Sequence, residues 1–287
     1  MKYHKPTSFK EAVALAEGAE GVTRFLAGGT DVLVQLRLDI VTPDTLVDMK
    51  AIAGVKDITR NEDGSWDIGV AVSGAEMTEH PTLGKEWPGL VEAMDLIGST
   101  QVQGRATLVG NLCNGSPAAD SVPALMATGA VVTVEGKNGT RQLAVADVPT
   151  GPGKTSLAAH EVITNIHIPP RGQNAADAYE RFIPRTEMDI AVVGCAVNLR
   201  LDGDKIVEAT VVMGAVAPTI RIVPDAAKAI IGTTLDDAAK DKLAEAVRAA
   251  CQPIDDKRGT IEFRVHVAGV LAKRVAQTAY DRARTAH

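Results

Sequence analysis

Apolar positions recur along this chain with helical and with alternating spacing, and each spacing predicts an element. Near the start, Ala12, Leu15 and Ala16 share one helical face. Ser8, three residues before Glu11, gives a capping-box start, and Gly18 and Gly21 give the stop. Residues 23–26 read as a short strand, 27–31 as a glycine turn and 32–38 as a helix. Three turn dipeptides between β-branched runs predict hairpins. Asp63-Gly64 separates 55–59 from 66–72, Asn138-Gly139 separates 130–135 from 141–145, and Asp202-Gly203 separates 192–201 from 206–213. Helices are expected at 89–97 and 121–128, with a glycine-dotted stretch from Gly98 to Gly115 between them. Pro169-Pro170-Arg171-Gly172 breaks helix and strand alike and marks a linker. Beyond it, a cap within 234–237 precedes a helix over 238–250. Residues 260–286 form a long amphipathic helix with Val267, Val270, Leu271 and Val275 on one face. Runs of strands followed by runs of helices predict an α+β fold, not a regular parallel array.

Composition narrows the function classes. The chain has 287 residues, enough for two domains of ordinary size, and 45% hydrophobic with 23% charged residues is ordinary for a globular protein. The formal net charge of -6 leaves no basic surplus for nucleic-acid phosphates or an anionic membrane. Cys113, Cys195 and Cys251 are few and far apart, and no CxxC pair exists, so no zinc or iron–sulfur site is expected from this chain. None of the six histidines (His4, His80, His160, His167, His266, His287) forms a ligand motif, and no metal is expected. The opening residues contain no long apolar run, so neither a signal peptide nor an integral membrane segment is expected, and a cytoplasmic location is the default.

Two glycine segments are the candidate chemistry. The first is Phe25-Leu26-Ala27-Gly28-Gly29-Thr30-Asp31-Val32. Glycine lets the backbone approach a ligand closely, and free amides at a helix start favour anions such as a diphosphate. Thr30 could cap the helix or bond a phosphate oxygen. A tight strand-to-helix turn without a ligand reads equally well, and GxGxxG is absent. The second runs from Thr107-Leu108-Val109-Gly110-Asn111 through Cys113, Asn114, Ser116 and Asp120. Asp120 could cap the next helix or accept hydrogen bonds from a ligand. Cys113 has no His or Lys close in sequence and reads as packing. A third stretch, Gly151 to Thr155, fails as a GxxxxGK[ST] loop because its first glycine would fall at Val148.

Together these segments resemble the FAD-binding medium subunits of molybdenum hydroxylases, the group that includes xanthine dehydrogenase and carbon monoxide dehydrogenase. LAGGTDVLVQLR (26–37) and GNLCNGSPAADSVPALMATGA (110–130) carry the resemblance most specifically. LVDMKAIAGV from Leu46, the stretch from Gly151 and EFRVHVAGVLAKR from Glu262 echo it. The resemblance implies a two-part FAD-binding region of the vanillyl-alcohol oxidase type over 1–170, with subdomains of about 1–53 and 54–170. A C-terminal α+β domain of the carbon monoxide dehydrogenase flavoprotein type would cover 175–287. It implies that residues 25–32 and 107–111 contact the FAD diphosphate, and that Asn114, Ser116 and Asp120 contact the cofactor. Ile97 and Ile163 would line the cofactor, and Arg181 falls where the family often has Lys.

The implied role is electron transfer, from two [2Fe-2S] centres on a small subunit to FAD and on to NAD, oxygen or another acceptor. A molybdenum-cofactor large subunit oxidises the substrate, and the whole would be a dimer of heterotrimers. This chain then needs no catalytic residues of its own. Surface near 97–104 is the expected apolar contact with the small subunit. Thr30-Asp31, where carbon monoxide dehydrogenase flavoproteins have His-Ser, points to a heterocycle or aldehyde hydroxylase. Val109 replaces the first glycine of the family's usual T-I-G-G-N. A self-sufficient FAD oxidase and a flavin-free scaffold are the competing readings. The first conflicts with the 3% aromatic content, the second with the intact Gly28, Gly29 and Gly110.

Overall fold

The computed structural model describes residues 1–286; His287 lies outside the described residues. The chain begins with β1 (Lys2–His4), α1 (Phe9–Glu17), β2 (Thr23–Leu26), α2 (Val32–Arg37) and β3 (Thr45–Asp48). These strands form a parallel sheet in the order β1-β3-β2, as a strand–helix–strand crossover requires. Ser8 caps α1 by accepting from Glu11 N, and Ala12, Val13 and Ala16 are its buried residues. By contrast, α2 buries none of its side chains.

The middle of the chain builds β4 (Ile58–Arg60), β5 (Trp66–Gly69) and a run of helices. These are α3 (Gly74–Thr78), α4 (Leu83–Glu86), α5 (Pro88–Asp95), α6 (Thr100–Gln103), α7 (Leu108–Cys113) and α8 (Ser121–Ala127). Then come β6 (Val131–Gly136), β7 (Gly139–Ala144), the short pair β8 (Pro149–Gly151) and β9 (Lys154–Thr155), and β10 (Val162–Ile168). The antiparallel sheet has the order β4-β5-β10-β6-β7. Its core holds Trp66, Trp87, Leu90 and Met94. Ser73 and Glu76 close a full capping box on α3.

The last part pairs β11 (Ala175–Phe182), β12 (Val193–Asp202), β13 (Lys205–Gly214) and β14 (Arg221–Ile222) in sequence order. Helices α9 (Pro224–Ile230), α10 (Asp237–Ala250) and α11 (Ile261–Thr285) complete a second core. This is the α+β class that the strand and helix runs predict.

Several expectations shift in detail. The first hairpin strand starts at Ile58, not Val55, because Val55 uses its carbonyl outside the hairpin, accepting from Ala71 N. The second hairpin turns at Lys137-Asn138 and the third at Gly203-Asp204, each displaced by one residue; Gly139 and Gly203 take positive φ there. The glycine-dotted stretch contains two short helices, α6 and α7. On α11 the buried stripe is Ala268, Leu271, Ala272, Val275, Ala276 and Ala279, while Val267 and Val270 are only partly buried.

Candidate functional site: a cleft between two glycine loops

The two glycine segments meet. A cavity of about 460 Å³ opens between them, walled also by Met49, Val70, Ile97 and the 153–163 segment. Their contact explains Gly28. A Cβ there would stand 1.9 Å from the carbonyl oxygen of Arg105, so only glycine permits the approach. Arg105 Nε returns a hydrogen bond to Gly28 O at 3.0 Å. Asn114 Nδ2 donates to Asp31 Oδ2, joining the loops a second time. The third glycine turn closes on the second: Gly153 N donates to Gly115 O, and a Cβ on Gly115 would stand 2.7 Å from Lys154 N.

Among the described residues, the backbone N–H groups of Gly28, Gly29, Thr30 and Asp31 find no protein acceptor. Four consecutive unpaired amides on the wall of a cleft form a nest for an anion. The donor set and the glycine cradle therefore fit a diphosphate-bearing cofactor such as FAD.

Of the residues singled out by sequence, Phe25, Ala27, Gly28, Gly29, Thr30, Asp31, Val32, Ile97, Thr107, Val109, Gly110, Asn111, Asn114 and Ile163 line the cleft. Leu26, Leu108, Ser116, Asp120 and Arg181 do not. Leu26 and Leu108 point into the core. Thr30 does not cap α2; Asp31 occupies the cap position without a side-chain cap bond, its carboxylate being engaged by Asn114. Asp120 does not cap α8 either. Asn111 does that from outside, accepting from Ser121 N and Oγ. Cys113 is open to solvent on the cleft wall, not packed away.

Asp120 is buried and takes two donors. Arg181 Nη1 donates to Oδ2 at 2.5 Å, and Tyr179 OH donates to Oδ1 at 3.0 Å. Burial pushes its carboxyl up to about 6 against the opposing pull of Arg181 and the Tyr179 hydroxyl. Arg181 Nε is buried without a partner. Arg181 lines a second hollow with Thr78, Glu79, Asp95, Ser99 and Glu187, which shares no lining residue with the cleft.

Sequence reasoning missed Tyr179 and Arg105, because neither stands in a motif. It also missed that the Gly151–Thr155 stretch reaches the cleft, although the failed phosphate-loop spacing had drawn attention to it. The apolar surface expected at 97–104 is absent. Ile97 and Val102 pack against the core, and Ser99, Thr100 and Gln103 face the second hollow.

Comparison with known proteins agrees with this architecture. Residues 1–171 match the family described as the FAD binding domain in molybdopterin dehydrogenase, and residues 178–279 match the CO dehydrogenase flavoprotein C-terminal domain. The xanthine dehydrogenase FAD-binding subunit of Escherichia coli O157:H7 is 31% identical over 279 residues, 96% of this chain and 95% of that one. The carbon monoxide dehydrogenase medium chain of Afipia carboxidovorans is 34% identical over 288 residues, covering 98% and 97%. The crystal structure of the cyanide-inactivated Cu,Mo-CO dehydrogenase superposes with a TM-score of 0.94 at 31% identity, covering 98% of each chain. With both halves matched in order and relatives above 30% identity from end to end, the chain belongs to the FAD-binding medium subunits of the xanthine and carbon monoxide dehydrogenase family of molybdenum hydroxylases.

Proposed function

We propose that this chain carries FAD in the cleft between its glycine loops and relays electrons within a cytoplasmic dimer of heterotrimers. Its partners are a [2Fe-2S] small subunit and a molybdenum-cofactor large subunit that oxidises a heterocycle or an aldehyde. The nest of four unpaired amides over Gly28–Asp31 carries this reading. Such amides stabilise a diphosphate by hydrogen bonding without any basic side chain, in keeping with a chain of net charge -6. FAD, when bound, supplies the redox chemistry, and the protein supplies position, shielding and electrostatics.

Residues 25–32 and 107–111 hold the diphosphate, with Asn114 latching one loop to the other through Asp31. Ile97 and Ile163 give the cofactor apolar walls. Ser116, Asp120 and Arg181 lie outside the cleft lining and would contact the cofactor only by the family resemblance. The cofactor region spans 1–170 and the C-terminal domain 175–287. Relatives named as medium chains support the assembly, and Thr30-Asp31 favours the heterocycle or aldehyde class. Purification with its partners, an absorption spectrum and mass analysis of bound cofactor test the reading. Stoichiometric FAD is expected. A colourless chain that takes up no added FAD overturns it.

A further inference from the structure

The amide nest over Gly28–Asp31 has a back as well as a front. The carbonyl of Ala27 shares one planar trans peptide unit with the Gly28 N–H, so the two point in opposite directions. Whatever holds that carbonyl therefore aims the amide. Lys50 Nζ donates to Ala27 O at 3.3 Å. The next unit, Gly28 O with Gly29 N–H, is held in the same way by Arg105 Nε at 3.0 Å. The third, Gly29 O with Thr30 N–H, is held by Leu33 N at 3.2 Å, from the first turn of α2. Gly29 takes a φ of 83°, a left-handed step of the kind that gathers successive N–H groups into a nest. Ala27, Gly28, Gly29 and Thr30 line the cleft, whereas Lys50 and Arg105 do not. The two cations grip the loop from behind.

The lysine is itself fixed. It follows β3 directly after Met49, which stands on the cleft wall. Its ammonium pairs with Asp48 Oδ1 at 2.6 Å, and the Asp48 side chain is only 6% exposed. Asp48 also accepts from Lys50 N at 3.1 Å and from the Tyr3 hydroxyl, so β1 and β3 together hold the carboxylate. A cation on a peptide carbonyl also polarises the unit and makes its N–H a stronger donor.

We propose that Lys50 and Arg105 are positioning residues for the cofactor diphosphate: through the carbonyls of Ala27 and Gly28 they aim the Gly28 and Gly29 amides into the cleft. The proposal rests on the reading of this chain as an FAD carrier. Each side chain acts through one peptide unit, without touching the ligand.

The test uses the full chain with whatever partners co-purify, stripped of FAD. It is titrated with FAD and, separately, with ADP, which carries a diphosphate but no flavin. Lys50→Met and Arg105→Met remove the donor and keep a long side chain. Each is expected to weaken FAD and ADP alike, roughly ten-fold, the effect of losing one hydrogen bond to a charged group. The phosphorus NMR resonances of bound FAD should move while the flavin absorption band stays in place. Lys50→Arg keeps a donor near Ala27 O and should restore most of the affinity. The Arg105 side chain is exposed and holds no buried carboxylate, so Arg105→Met carries the test alone if Lys50→Met folds poorly.

FAD and ADP affinities that stay at the wild-type value overturn the proposal. A loss confined to FAD overturns it too, because the effect would then lie at the flavin. So does weaker binding with unmoved phosphorus resonances and a matching fall in the thermal midpoint of the FAD-free chain, which leaves both side chains as packing. Wild-type chain that takes up no FAD removes the flavin reading and this proposal together. That outcome is distinct from a wild type that binds FAD normally beside indifferent variants, which removes the proposal only.

Discussion

Gly28 is the residue at which the two cofactor loops touch, and its lack of a side chain sets the cleft's width. With a Cβ predicted 1.9 Å from the Arg105 carbonyl oxygen, Gly28→Ala must push the loops apart, since backbone rather than a flexible side chain stands in the way. The expected cost is about 1–3 kcal/mol of stability, as for other overpacking changes, with FAD affinity lowered at least roughly ten-fold. Thermal melting and an FAD titration check both. Asp120 gives a second residue-level prediction. Its folded value, pushed up to about 6 mainly by burial, lies above that of an exposed carboxyl. The folded chain therefore binds a proton that the unfolded chain has released. The resulting stability is fully present below pH ~4 and is lost as pH rises through about 6. Compared with Asp120→Asn, the wild type without cofactor should lose on the order of 3 kcal/mol between pH 4 and pH 8, at ~1.4 kcal/mol for each pH unit of separation. Urea denaturation of both proteins across that range measures it, and a difference that stays flat with pH refutes it.

At the scale of elements, α2 is unusual: Leu33, Val34, Leu38 and Ile40, on it and just beyond it, are all exposed. It holds its place through its ends, with Leu33 N on Gly29 O and Ile40 N on Gln35 O, rather than through an apolar face. Leu38→Ser should therefore change the stability of the isolated chain by no more than about 0.5 kcal/mol, the range of ordinary surface substitutions. A loss above 2 kcal/mol in urea denaturation would show a buried contact. Elements like this mark the limit of sequence reading. The spacing 32–38 gives a helix, and its apolar residues suggest burial that the structure does not provide. Local signals did locate α1, α5, α8, α10, α11 and the three hairpins, because caps and turn dipeptides act over three or four residues. The strands β1 and β3 carry too few residues for a period to show. The strands β10 and β11 are long enough, but they have no turn dipeptide between them, only the Pro169-Pro170 break. The candidate site divides in the same way. Cleft residues within glycine motifs were legible, whereas Tyr179 reaches Asp120 across 59 positions of chain, a pairing that only the folded sheet creates.

Across the whole molecule, the cofactor region and the C-terminal sheet meet along α5 and α8, and Asp177 holds the α5 side of the joint. Its carboxylate accepts from Leu90 N at 2.9 Å and from Arg171 Nη2 at 2.6 Å, and Arg171 in turn lies 3.7 Å above the ring of Trp87. Beside it, Arg282 of α11 pairs with Glu92 of α5 and donates to Asp177 O. Gly89 admits β11 here, since a Cβ would stand 2.7 Å from Ala178 N. The other end of α5 runs into Ile97 and the Gly98 turn at the cleft, so the joint and the cofactor wall share one short helix. Asp177→Ala leaves the Arg171 guanidinium buried without its anion and the Leu90 amide without an acceptor. Losses of this kind cost about 3–5 kcal/mol. The same face of the sheet also packs on α8, and its Ala196 and Val212 belong to the first core, so the loss should fall on the docking of the sheet against α5 and α8. In wild type, Trp87 fluorescence and helical circular dichroism are expected to follow a single urea transition. In Asp177→Ala, the Trp87 signal should change at lower urea than the circular dichroism, and bound FAD should be released with the earlier step. Coincident transitions in the variant, shifted together to lower urea, would mean that the two cores unfold as one unit and that the joint has no separate opening.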